Sequence, residues 1–367
     1  VKATARLHEL GQSLWLDNIT RTMLADGTLQ GYIEELSVTG LTSNPTIFDK
    51  AISGGDAYDE QIAELSASAV TEQGTGDNAS ERVFFELAIA DLRDATELFA
   101  PVHQRTDGVD GWASLEVSPL IADDAGATIQ QAAALHAEAE RENLFIKIPG
   151  TEAGRTAIEE SIFAGVPINV TLLFDDKQYL AAAEAYMRGI ERRIEAGLDP
   201  NVASVASIFI SRWDVAVAEQ VPAELHNRLG IAVGGRAYRA YRELLDSERW
   251  LRLMNEGARP QRLLWASTGT KDPDASDTLY IEAFASPFTV NTMPEPTLKA
   301  FADHGQIGDL FPADGGNAEQ VLKEFEEAGI DVGALAARLQ DEGKESFNKS
   351  WEELLKSIES QRGVTTG

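Results

Sequence analysis

The chain has 367 residues, 43% of them hydrophobic and 25% charged, which is the composition of an ordinary globular protein and not of a disordered or fibrous one. Asp and Glu number 60 against 31 Lys and Arg, a net charge of −29 that makes nucleic acid and anionic lipid poor partners. Cysteine is absent and the five histidines show no metal-ligand spacing, so disulfides, thiolate metal sites and thiol nucleophiles are excluded together.

A short apolar run followed by a helical stretch is the event that recurs along the chain. SLWL (13–16) leads to Asp17, and LSVTG (36–40) leads to Thr42 and Asn44. One or two helices are expected near 56–103, then ASLEVS (113–118), which holds Glu116. A helix over 125–142 carries Ile129, Ala133 and Ala137, and LFIKIP (144–149) follows with Lys147 at its centre. INVTLLF (168–174) brings Asn169 and Thr171, and a helix over 175–197 stops on glycine. SVASIFI (204–210) is bracketed by Ser207 and Arg212, and a long helical segment near 228–256 leads to RLLWAST (262–268). That run ends at Ser267 with Lys271 close behind; FTVNT (288–292) is the eighth run, and helices occupy about 317–361. The polar segments 71–80 and 106–111 read as exposed loops, and 362–367 as a frayed tail.

Several runs are continuous and not alternating, as in parallel strands covered on both faces. Eight such strands interleaved with helices predict an α/β fold, a (β/α)8 TIM barrel with additional helices, read as one domain over 1–367. No signal peptide or membrane-length apolar stretch is visible, so a cytoplasmic protein is expected.

Active sites of such barrels lie at the C-terminal ends of the strands, where nearly every run here ends in a polar residue. Plainer readings exist for most of them. Asn44 before Pro45 makes a good helix cap, Asp17 could cap a turn, Asn169 and Thr171 could fill a polar layer, and Arg212 could pair with Asp214 at the surface. Glu116 and Lys147 sit within core runs, and their plainest reading is a buried pair tying two strands together, a weak stabiliser because desolvation can exceed the attraction. The chemical reading is that a desolvated lysine loses its proton more readily and attacks a carbonyl, forming a Schiff base while nearby carboxylates move protons. That chemistry requires no cofactor and no metal.

LWLDNI, GLTSNPTIF, SLEVSP, FIKIPGT, INVTLLF, SIFISRWD and LLWASTGTKDP stand in the order and spacing of transaldolases, and the chain resembles that family, in its longer actinobacterial type, from about residue 10 to about residue 360. The resemblance implies a class I aldolase barrel of the non-oxidative pentose phosphate pathway. Such an enzyme moves dihydroxyacetone from sedoheptulose 7-phosphate to glyceraldehyde 3-phosphate, giving erythrose 4-phosphate and fructose 6-phosphate. It implies Lys147 as the Schiff-base lysine, Asp17 as the acid/base at the C4 hydroxyl, and Glu116 with Thr171 holding a catalytic water. Thr42, Asn44, Asn169 and Ser207 then hold the three-carbon unit, Phe209 forms a pocket wall, and Arg212 with Ser267 meets phosphate. Many members carry an arginine two residues after that serine; here Gly269 stands there and Lys271 is the nearest replacement. A fructose-6-phosphate aldolase that releases dihydroxyacetone, and a non-catalytic sugar-phosphate-binding barrel, remain the alternatives. Phosphorylated sugars are the implied partners, and a homodimer is compatible with the resemblance.

Overall fold

The computed structural model describes residues 2–71 and 78–364. Eight parallel strands follow one another as β1 (Ser13–Asp17), β2 (Val38–Thr42), β3 (Ala113–Glu116), β4 (Leu144–Pro149), β5 (Ile168–Leu173), β6 (Ser204–Phe209), β7 (Arg262–Ala266) and β8 (Val290–Met293). They pair in the order β2-β1-β8-β7-β6-β5-β4-β3. The ring closes between β2 and β3 through the backbone: Leu41 N–H donates to the Trp112 carbonyl at 2.9 Å and Gly111 N–H to the Thr39 carbonyl at 2.7 Å. Closure requires glycine at residue 40, where a Cβ would stand 2.6 Å from Trp15 Nε1 and 2.7 Å from the Trp112 carbonyl oxygen. The architecture is the expected (β/α)8 barrel with extra helices.

Alternation along the strands feeds two separate cores. Leu14, Leu16, Ile146, Ile148, Ile168 and Val170 belong to the cluster shared with the surrounding helices. Trp15, Phe145, Val205, Leu264 and Val290 belong to the second, within the ring, where Trp112 stacks on Phe145 at 4.1 Å. Two residues further along the same strands, the inward positions are Asp17, Lys147, Ser207, Ala266 and Thr292. Within the ring an apolar layer therefore lies beneath a largely polar mouth.

Apolar runs and hydrogen-bonded strands differ at their ends, because burial defines the first and backbone geometry the second. Leu36 closes the helix Thr28–Leu36 and Ser37 takes φ 58°, so β2 starts at Val38. Phe288 at φ 62° delays β8 to Val290, and Ser267 at φ 55° ends β7 at Ala266. The helix expected over 125–142 spans Ala125–Ala139, capped by Asp124 on Ala127 N–H and stopped by Glu140 at φ 53°. The one expected over 175–197 spans Asp176–Glu195, capped by Asp175, with Gly197 at φ 69° beyond it.

Two loop expectations are corrected. Thr71 ends the helix Asp59–Thr71 and Asn78–Ser80 begin the helix Asn78–Arg105, while 72–77 lie outside the described residues. Residues 106–111 keep the expected exposed turn at Asp107 and Val109 and are corrected only further on, where Asp110 is 3% exposed and pairs with Arg262 at 3.0 Å.

The C-terminal set is Ala318–Glu327 and the 33-residue helix Val332–Val364, which takes in 362–364 of the expected tail; 365–367 lie outside the described residues. This last helix straps the barrel. Gln340 Nε2 donates to the Leu172 carbonyl at 2.9 Å, Lys344 pairs with Asp123 at 2.8 Å, and the Thr46 hydroxyl meets Ser350 at 2.7 Å. Gly343 lies in its interior, where glycine costs about 1 kcal/mol relative to alanine. A Cβ there would stand 2.8 Å from Leu172 Cδ2 and 3.2 Å from Arg212 Nη1. Among the described residues no helix is long and apolar enough to cross a membrane.

Candidate active site

Strand register puts the polar residues of the mouth side by side. Asp17 is level with Thr42 across β1 and β2, Glu116 with Lys147 across β3 and β4, and Lys147 with Asn169 across β4 and β5. Lys147 therefore sits in an apolar run because its inward position belongs to a polar layer. Its side chain is 7% exposed, and its Nζ donates to the Ser43 carbonyl at 2.9 Å and to Glu116 Oε2 at 3.2 Å.

Two carboxyls flank this nitrogen. Burial raises the Glu116 carboxyl above its ordinary value, opposed by the charge and hydrogen bond of Lys147. Burial likewise raises Asp17, opposed first by the hydrogen bond from Thr42 and then by Lys147 and Lys271. Thr42 Oγ1 donates to Asp17 Oδ1 at 2.7 Å and lies 2.7 Å from Thr292 Oγ1, so Thr292 is the donor of that second bond.

On β5 the register slips between Val170 and Leu173, and Leu172 takes φ 57°. This bulge sends Leu172 into the cluster shared with Phe174, Phe209 and Leu339 of the last helix, while Thr171 lines the barrel mouth. Thr171 Oγ1 is buried without a hydrogen-bond partner among the described residues, so it is free to bind a group in the site.

A cavity of about 130 Å³ at the C-terminal ends of the strands is lined by Asp17, Thr42, Asn44, Lys147, Thr171, Ser207, Phe209, Arg212, Ser267 and Lys271. Two residues named from the sequence lie behind it. Glu116 backs Lys147, and Asn169, fully buried, accepts from Ser207 Oγ at 2.8 Å and donates to Ser114 Oγ at 3.2 Å. Asn169 thus takes the polar-layer position its plainer reading described. Asn44 combines both of its readings: Oδ1 caps the helix Pro45–Ser53 by accepting from Ile47 N–H at 3.0 Å, and the residue lines the cavity.

Arg212 does not pair with Asp214. That carboxylate accepts from Leu229 N–H at 2.9 Å and from the Tyr280 hydroxyl at 2.7 Å. The Arg212 guanidinium instead lies 5.1 Å from the Phe209 ring centre and 5.9 Å from that of Phe347. Burial lowers its pKa, offset by the carboxylates of Glu342 and Glu116. Ser267 Oγ lies 2.8 Å from Ser211 Oγ.

Sequence reasoning missed Thr292, Pro294, Ser43 and Phe347. Thr292 ends the eighth apolar run and was legible by the rule that found the others. Ser43 acts through its carbonyl, which no side-chain pattern reveals. Phe347 reaches the cavity only because the last helix crosses it. Larger open grooves, of about 550 Å³ beside Asp176 and Arg236 and about 470 Å³ beside His103 and Arg259, include neither the buried lysine nor the carboxyls flanking it. Among the described residues, no three His, Asp or Glu side chains are grouped to hold a metal ion.

Residues 14–358 match the model of the transaldolase/fructose-6-phosphate aldolase family. The chain is 42% identical to a transaldolase of Parafrankia sp. (strain EAN1pec), over 99% of this chain and 98% of that protein. It is 41% identical to a transaldolase of Thermobifida fusca, over 98% of each chain. Identity to a transaldolase of Mycobacterium tuberculosis is 43%, over 96% of this chain and 95% of that one.

Proposed function

The chain belongs to the transaldolase/fructose-6-phosphate aldolase family, and from this premise we propose that its barrel mouth works through a Schiff base on Lys147. The activity is that of a transaldolase, a transferase that moves a dihydroxyacetone unit from sedoheptulose 7-phosphate to glyceraldehyde 3-phosphate. The products are erythrose 4-phosphate and fructose 6-phosphate. The observation that carries the site assignment is the buried Lys147 nitrogen, held between Glu116 and the Ser43 carbonyl at a cavity that Asp17 and Thr171 share.

Lys147 must give up a proton before it can attack. The Glu116 carboxyl, raised by burial, lies 3.2 Å away to take it. The free amine adds to C2 of the ketose, and the carbinolamine loses water as Glu116, with a water on the Thr171 hydroxyl, returns a proton to the departing oxygen. Asp17 then takes the proton of the C4 hydroxyl. The C3–C4 bond breaks, its electron pair flows into the iminium, and the aldose leaves. The three-carbon enamine, held by Thr42, Asn44 and Ser207, adds to the acceptor aldehyde while Asp17 returns its proton, and hydrolysis frees Lys147. Asn169 supports this set by fixing the Ser207 hydroxyl.

Arg212, Ser267 and Lys271 form the phosphate end. Lys271 lines the cavity near enough to lower the Asp17 pKa through its charge, which supports it as the second cation where Gly269 stands. Lys271→Ala is expected to raise KM for both phosphorylated substrates; unchanged KM values would remove it from the site. A cytoplasmic location belongs to the same reading, since sugar phosphates of this kind are intracellular metabolites.

Borohydride trapping tests the centre of the proposal. With fructose 6-phosphate present, reduction should leave a dihydroxyacetone-sized adduct on the peptide holding Lys147. An adduct on another lysine, or none, would overturn the assignment.

A further inference from the structure

A guanidinium withdrawn even in part from water normally has a carboxylate against it, and Arg212 is half-buried. Arg212 has no hydrogen bond or ion pair among the described residues, and what it touches is aromatic: Phe209 from β6 at 5.1 Å and Phe347 from the last helix at 5.9 Å. Rings satisfy the faces of a guanidinium and leave its N–H donors unspent. Those donors are what a phosphate dianion takes, two at a time.

The last helix is shaped for this contact. Gly343 and Phe347 are one turn apart and share a face. At Gly343 the backbone comes so close that an added Cβ would stand 3.2 Å from Arg212 Nη1 and 2.8 Å from Leu172 Cδ2. One turn earlier, Gln340 fastens the helix to the Leu172 carbonyl, and Lys344 fastens it to Asp123. Phe347 itself is 5% exposed and lines the cavity.

We propose that the helix Val332–Val364 is part of the phosphate site: Gly343 and Phe347 form a socket for the Arg212 guanidinium and thereby set the preference for phosphorylated over unphosphorylated sugars. Phe347 is a positioning residue, acting on the substrate through Arg212. The inference rests on Arg212 meeting phosphate, and its test separates the two.

The full chain is assayed with glyceraldehyde 3-phosphate and with unphosphorylated D-glyceraldehyde as acceptors, and the ratio of their kcat/KM values is the readout. Phe347→Leu should lower that ratio about tenfold, through KM for the phosphorylated acceptor, as expected when a partly desolvated cation–π contact is lost. Phe347→Tyr, which restores a ring, should keep it. Gly343→Ala, a favourable change for a helix, should lower the ratio in the same direction by displacing the guanidinium. Arg212→Gln is the control and should collapse it. Wild-type ratios in both Phe347→Leu and Gly343→Ala, with a collapsed ratio in Arg212→Gln, would overturn the socket and leave Arg212 as the phosphate ligand. A wild-type ratio in Arg212→Gln would overturn both.

Discussion

The Thr42 hydroxyl has one proton, and it gives that proton to Asp17 Oδ1 at 2.7 Å while accepting from Thr292. The bond favours the ionised carboxylate, against the burial that raises the Asp17 pKa. Thr42→Val removes the bond and keeps the volume, so Asp17 rises further and fewer molecules carry the ionised base at a given acidic pH. The acid limb of the pH profile of kcat/KM should therefore move to higher pH in the variant. A limb that stays in place would mean that Asp17 is not the group whose ionisation controls turnover. The same residues show where sequence reading succeeds at this scale. Asp17, Lys147 and Ser207 were legible as polar residues within or just after apolar strands, because period-two alternation fixes which way they face. Asn169 was equally legible as inward, yet whether it meets substrate or braces Ser207 depends on distances that only the assembled barrel sets.

At the scale of elements, Asp214 is the joint between β6 and the helix Leu229–Leu245. Its carboxyl accepts from Leu229 N–H, Gly230 N–H and the Tyr280 hydroxyl, capping a helix fifteen residues away in sequence. Burial raises its pKa from 3.8 to about 6. A carboxyl raised on folding contributes stability that is complete below its unfolded pKa and lost as pH rises through the folded one. The window is thus from about 4 to about 6, worth roughly 3 kcal/mol across its span. Asp214→Asn keeps an oxygen for the two amides but cannot titrate. The stability of the wild type relative to the variant, from urea unfolding, should fall by about that amount between pH 4 and pH 7. A constant difference would show that Asp214 does not titrate in this range. The sequence suggested instead a surface pair of Arg212 with Asp214; the residues diverge because one faces the cavity and the other the helix start.

Over the whole molecule, 60 acidic residues share 31 basic ones, and the surface shows how. Arg249 pairs with both Glu184 and Glu191, Arg192 with Glu159 and Glu160, and Glu319 with Arg236 and Arg239. Exposed pairs of this kind are worth little, whereas the uncompensated charge repels itself over the whole surface. Raising salt from about 50 mM to about 500 mM shortens the range of that repulsion, so Tm should rise by a few degrees. A falling Tm would mean that the local pairs outweigh the net charge. The same excess makes the local cations at the barrel mouth matter to the proposed function: Arg212 and Lys271 line the cavity and are where, on that proposal, an anionic sugar would approach.

Alternation and run length, which depend on neighbours in sequence, were enough to determine the eight strands, their parallel arrangement and most of the cavity wall. Local chemistry also determined the caps at Asn44, Asp124 and Asp175, since each of these accepts from an amide only three residues on. The ends of strands β2, β7 and β8 were decided by single left-handed residues, Ser37, Ser267 and Phe288, whose conformation no hydrophobic pattern encodes. Only the tertiary structure decided that the Ser43 carbonyl meets Lys147, and that residues 340–347 reach across to Leu172 and Arg212. Those contacts join parts of the chain more than 100 residues apart, and their distances follow from how the closed ring and the last helix pack.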